Sequence, residues 1–196
     1  MTTRLDEAAI AREMVSASAD AVRACLSIVD EIADAARRIG DALESGHKIL
    51  ICGNGGSAAD AQHFAGELLG KFRSAERRAL AAIALSADGA VLTTIANDFA
   101  FEDVFARQVQ ALARAGDVLV GISTSGKSAN VLRAFAAAPA GTVRIALVGP
   151  SGPLGDGAEI ALRVPAEETA HIQAGHIVVI HAVCEALERR FARSGN

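Results

Sequence analysis

Tryptophan and tyrosine are absent from this chain, which leaves seven phenylalanines in 196 residues. A core this poor in rings has to be assembled from small aliphatic side chains, and hydrophobic residues make up 51% of the sequence. Such a core suits helices packed closely on a parallel sheet better than a sandwich or barrel. Cysteine is scarce too: Cys25, Cys52 and Cys184 form an odd, scattered set with no Cys-x-x-Cys pair. That spacing excludes a disulfide frame and a thiolate metal site, and points to buried thiols in a reducing, cytoplasmic compartment. No basic block occurs, and 19 Lys and Arg stand against 23 Asp and Glu. A nucleic-acid partner, which favours a basic stripe, is therefore not expected. The stretch Met1 to Asp20 carries Asp6, Glu7 and Glu13 without a continuous apolar core, so it does not read as a signal peptide. No apolar run of bilayer-spanning length is expected, and no membrane partner.

What is present has a clear order. Helical periodicity runs from Leu5 to about Glu44, with an apolar stripe through Ala21, Ala24, Cys25, Ile28, Ile32, Ala35 and Ile39. This stripe suits packing on the body of the domain or on another subunit. After Gly46 short strands and helices alternate. Strands are predicted at Lys48–Gly53, Ala79–Leu85, Asp117–Ser123, Val143–Val148 and Ala161–Val164. Helices are predicted at Ser57–Phe72, around Val91–Ile95, at Phe101–Ala113, Ser128–Ala138 and Thr169–Arg193, with a loop over Gly149–Gly157. Five short apolar strands separated by helices imply a single α/β domain with a parallel sheet covered on both faces. Residues 1–46 form its helical extension and residues 47–196 its core.

Open parallel sheets bind ligands beyond the carboxyl ends of their strands. Two strand ends carry unusual loops. The first, Gly53-Asn54-Gly55-Gly56-Ser57, lets backbone N–H groups approach an anion, with Ser57 expected to cap the following helix. It also matches G-x-G-x-x-A. A dinucleotide site, however, needs an acid at the end of the second strand, and Asp88 comes too late. The second loop, Ser123-Thr124-Ser125-Gly126-Lys127-Ser128, gathers four hydroxyls at a strand-to-helix turn. These, with backbone N–H groups, can surround a phosphate, and the loop lacks the spacing of a Walker A motif. An ordinary capped turn would also favour Ser and Thr.

Acid–base chemistry has its own candidates. His63 and Glu67 stand at i and i+4 and share a helix face. Gln173, His176 and His181 fall in an apolar helical run, where a histidine is costly without a partner. Singly, each is explained as a surface pair or a satisfied core residue; jointly, in a chain with five histidines, they suggest a site.

Four stretches, Gly53 to Glu67, Ala96-Asn97-Asp98, Ser123 to Ser128, and Ile172-Gln173-x-x-His176, closely resemble the phosphoheptose isomerases of the sugar isomerase (SIS) family, in the same order and spacing. The resemblance implies a flavodoxin-like SIS fold and an aldose–ketose isomerase that converts sedoheptulose 7-phosphate to D-glycero-D-manno-heptose 7-phosphate, the first step toward activated heptose. It implies a homotetramer with active sites between subunits and a zinc ion in each. Carried over by position, Ser123, Thr124, Ser125 and Ser128 bind the phosphate. Asn54, Gly55, Gly56, Ser57, Glu67, Asn97, Asp98 and Gln173 line the sugar. Glu67 and His181 form the acid–base pair, and His63, Glu67, Gln173 and His181 are the zinc ligands.

Two positions depart from relatives: Ala170 where some carry Asp, and Ala174 where Glu is common. The weighed alternatives are a non-catalytic SIS regulator similar to the paralogue that binds the bacterial replication initiator, and an isomerase of another sugar phosphate. That paralogue lacks the counterparts of Glu67 and His181. On a straight helix Gln173 and His181 lie about 12 Å apart along the axis. A shared metal would need Gln173 outside regular helix, side chains stretched toward each other, or ligands from different subunits.

Overall fold

The computed structural model describes residues 6–192, so the predicted helix ends at Leu5 and Arg193 lie outside the described residues. Five strands form one wholly parallel sheet in the order β2-β1-β3-β4-β5: β1 (Ile49–Gly53), β2 (Ala82–Ala84), β3 (Val118–Ser123), β4 (Val143–Val148) and β5 (Ile160–Arg163). This is the flavodoxin-like order, with its switch point between β1 and β3. The predicted α/β architecture is borne out. The central strands β1 and β3 are buried at every residue, as their unbroken apolar runs require.

Helices cover both faces. One is packed by α2 (Val29–Glu44), α3 (Gly56–Leu69) and α8 (Thr169–Ala192), in a core that includes Ile39, Phe64, Val120 and Val183, and α1 (Glu7–Ala24) packs outside them on α8. The other carries α4 (Gly89–Asp98), α5 (Ala106–Leu112), α6 (Ala129–Ala137) and the single turn α7 (Pro153–Asp156), around Leu50, Leu119 and Phe135.

The structure corrects several boundaries. The N-terminal helical pattern is broken by a 3-10 turn at Cys25–Ile28, where the Ser27 hydroxyl donates to the Ala24 carbonyl at 2.8 Å. Such a local bond competes with the helical ladder. Only Ala82–Ala84 of the predicted second strand joins the sheet, at its edge. The loop Gly149–Gly157 contains α7, opened by Pro153 at its first turn, where the missing N–H costs nothing. The expectation that no segment is long and apolar enough to cross a bilayer fails for α8 on length and composition. Its apolar residues, among them Ile172, Val179, Ile180, Val183 and Phe191, belong to the domain core.

Candidate functional site

Gly53 pairs in register with Ile122, so β1 and β3 release their loops side by side at the switch point. Asn54 and Asn130 join the two loops through reciprocal amide hydrogen bonds of 2.8 Å each. Asn130 is buried in the first turn of α6. Sequence reasoning missed it; its one signal is a carboxamide in the first turn of a mostly apolar helix.

The glycine loop differs from expectation in its cap. Gly55, with φ +55°, is the N-cap of α3 and makes no side-chain cap bond, while Ser57 lies inside the helix and is buried. The positive φ explains why glycine takes the cap position. A Cβ on Gly53 would come within 2.7 Å of the Ser57 carbonyl oxygen, which explains the burial of Ser57 in the turn. A Cβ on Gly56 would lie 2.3 Å from Gln173 Nε2, so Gln173 rests directly on the glycine loop.

In the second loop Ser123 and Ser128 hydroxyls are 2.9 Å apart, and Lys127 N–H donates to Ser125 Oγ at 3.2 Å. Ser128 is the N-cap of α6, yet its side chain makes no cap bond. The hydroxyl is turned toward Ser123, which an ordinary capped turn does not explain. A helix start without a side-chain cap keeps N–H groups available for an anion. Behind this loop lies the strand-end loop of β4. Gly149 N–H donates to the Thr124 carbonyl, and Leu154 N–H to the Gly126 carbonyl, each at 3.0 Å. Gly126 and Gly152 both adopt positive φ where the two loops touch.

On α3 and α8 the titratable groups converge. His63 Nε2 lies 2.9 Å from His181 Nε2 and 3.4 Å from Glu67 Oε1, and one donor atom from each of the three residues falls within 4.8 Å of the others. Phe72 packs against the His181 ring at 5.9 Å between centroids. Two imidazoles and one carboxylate suit zinc, whose tetrahedral bonds of about 2.05 Å place neighbouring ligand atoms about 3.3 Å apart. Three protein ligands would leave a coordination position open.

No described hydrogen bond joins Gln173 to this trio, and its amide lies against Gly56. It sits inside the regular helix α8, which removes the first of the three ways it could share a metal with His181. Asn97 and Asp98 end α4 as an exposed pair, with Asn97 Nδ2 donating to Asp98 Oδ1 at 2.8 Å. No described hydrogen bond ties them to the other candidates. Asp88, weighed for a dinucleotide, instead caps α4 by accepting from Ala90 and Val91 N–H at 3.0 Å.

His176 behaves unlike the other histidines. It is wholly buried on α8, and neither ring nitrogen completes a hydrogen bond. Desolvation drives its pKa from 6.5 to about 4, against an opposing pull from the Val148 backbone. Between those values the unfolded chain holds the extra proton, so this contribution is full above pH 6.5 and is lost as pH falls toward 4. Urea unfolding should therefore show stability at pH 5 lower by about 2 kcal/mol than at pH 7 from this group, and His176→Leu should remove that part of the pH dependence.

At the switch point the glycine loop and the hydroxyl-rich loop stand side by side, while His63, Glu67 and His181 gather on α3 and α8. The profile of the SIS domain family matches residues 15–149, and the chain belongs to that family. Within it, the chain belongs with the phosphoheptose isomerases. It is 52% identical over 168 residues to the phosphoheptose isomerase of Thiobacillus denitrificans, covering 83% of this chain and 84% of the relative. The solved phosphoheptose isomerase from Neisseria gonorrhoeae superposes with a TM-score of 0.80 at 46% identity, covering 93% of this chain and 96% of that one. The one from Francisella tularensis gives a TM-score of 0.90 at 36% identity, covering 94% and 100%.

Proposed function

We propose that this chain converts sedoheptulose 7-phosphate to D-glycero-D-manno-heptose 7-phosphate by proton transfer through an enediol. The carrying observation is the convergence of Glu67 and His181, from different helices, within reach of one substrate atom. The hydroxyl loop at Ser123 to Ser128 would anchor the phosphate, with the sugar along Asn54, Gly55, Gly56, the Ser57 turn and Gln173.

An aldose–ketose shift removes a proton from C1 of the open-chain ketose and returns one to C2. Such a C–H is a weak acid, so the base must be fixed at the carbon while the developing oxyanion is stabilised. Glu67 takes the C1 proton. His181 moves protons at the oxygens, opening the ring and then passing a proton between O1 and O2. His63, 2.9 Å from His181, fixes the orientation of that ring.

His63, Glu67 and His181 would hold a zinc ion, with Gln173 as the remaining family ligand; when bound it would supply Lewis-acid polarisation of the substrate oxygens. Assembly as a homotetramer is part of the same reading. Ile10, Met14 and Val15 on α1, with Leu26 and Val29 after it, are large apolar side chains left exposed, and a second subunit would cover them. The isolation of Asn97 and Asp98 from the rest of the site supports completion of the pocket between subunits. Three free, buried cysteines fit a reducing cytoplasm.

Purified protein incubated with sedoheptulose 7-phosphate should yield the aldose, followed by NMR; absence of the aldose would refute the reading. Exhaustive chelation should lower turnover at least tenfold and added zinc should restore it. Turnover that survives chelation would remove the metal from the scheme without touching Glu67.

A further inference from the structure

Glu67 lies in the last turn of α3, which ends at Leu69. The final carbonyls of a helix have no partner within it, and such turns fray unless something holds them. Here Leu80 N–H donates to the Leu68 carbonyl at 3.0 Å, and the wider grip comes from Arg77, in the segment that follows the helix. Its Nη2 donates to the Glu67 and Gly70 carbonyls at 2.8 and 3.0 Å, and its Nη1 to the Leu68 and Arg78 carbonyls at 3.0 and 2.6 Å. Its Nε donates to Glu188 Oε2 at 2.6 Å, so all five N–H groups of the guanidinium are used. Glu188 Oε1 accepts from Ser74 N–H at 2.6 Å. The Arg77 and Glu188 side chains are only 1% and 6% exposed.

Position on α8 gives this cluster its meaning. Glu188 follows His181 by seven residues on one continuous helix, about 20° from the same face. The guanidinium therefore grips the backbone of Glu67 with one edge and the His181-bearing face of α8 with the other. Its charge is neutralised by Glu188, so its action on Glu67 is geometric.

We propose that Arg77 and Glu188 are positioning residues that set the separation of Glu67 from His181, which rests on reading those two as the acid–base pair. Lysine cannot replace Arg77, because a single ammonium has three donors and no planar fork to span four carbonyls and a carboxylate. The pair was invisible in the sequence, where Arg77-Arg78 looks like ordinary surface charge.

The test compares full-length wild type, Arg77→Lys and the double variant Arg77→Met/Glu188→Met. The double variant removes both buried charges together, so it leaves no unpaired ion to unfold the chain. Thermal midpoints establish folding, and kcat and KM are measured with sedoheptulose 7-phosphate. The imidazole nitrogen shifts of His63 and His181 are read by NMR in metal-stripped protein. Expected are a ten- to hundredfold lower kcat in both variants, KM within about threefold, and shifted His63 and His181 resonances. A folded variant of either kind with wild-type kcat and unshifted imidazole signals would overturn the proposal. If wild type itself does not turn over sedoheptulose 7-phosphate, the functional reading falls instead. The imidazole shifts then decide on the clamp alone: changed signals support it, unchanged signals end it.

Discussion

Glu67→Gln should lower kcat about 10³-fold while the folded chain keeps its thermal midpoint. The substitution preserves shape and the reach toward His63, which lies 3.4 Å from Glu67 Oε1. It removes the one carboxylate that can accept a carbon-bound proton among the three convergent groups. Loss of a positioned general base costs typically 10²–10⁴ in rate, since water or a neighbouring group substitutes poorly. KM should change little, because the proposed phosphate anchor, Ser123 to Ser128, lies on a different loop. Stopped-flow or NMR turnover with sedoheptulose 7-phosphate checks the outcome, with zinc content measured alongside to separate a lost base from a lost ligand. Near-normal turnover would sink the assignment of Glu67.

The second large effect is expected at the far end of the substrate. Ser123→Ala/Ser125→Ala should reduce kcat/KM by about 10²–10³, two charge-assisted hydrogen bonds being worth about 1.5–3 kcal/mol each before water refills part of the gap. Ser123 also loses its 2.9 Å partner Ser128, so the turn at the start of α6 loosens slightly. The variant should discriminate less between the phosphorylated sugar and free sedoheptulose, because the contacts proposed for Ser123 and Ser125 are to the phosphate alone. Inorganic phosphate should inhibit wild type competitively and the variant much more weakly. Equal inhibition of both would place the phosphate elsewhere.

These two changes act on separate elements, Glu67 in the last turn of α3 and the serines at and after the end of β3, and the fold sets the loops of β1 and β3 side by side. β1 and β3 are neighbours in space although α3, β2, α4 and α5 separate them in sequence. α8 lies against the loops that follow β1 and β4, with Gln173 beside Gly56 and Ile172 beside Gly149.

The sequence by itself determined the alternation of strands and helices, the hydroxyl loop, and the His63–Glu67 pair, because each of these depends on residues close along the chain. Apolar runs, glycine turns and i,i+4 spacing are local signals. Only the tertiary structure decided that Asn54 faces Asn130 and that His181 meets His63 within a single chain, across 118 residues. It also decided that Ser57 is buried, that His176 is sealed in the core beside the Val148 backbone, and that Arg77 reaches Glu188. These contacts arise where helices cross or loops abut, and the angle and height of a crossing are set by the packing of the whole core.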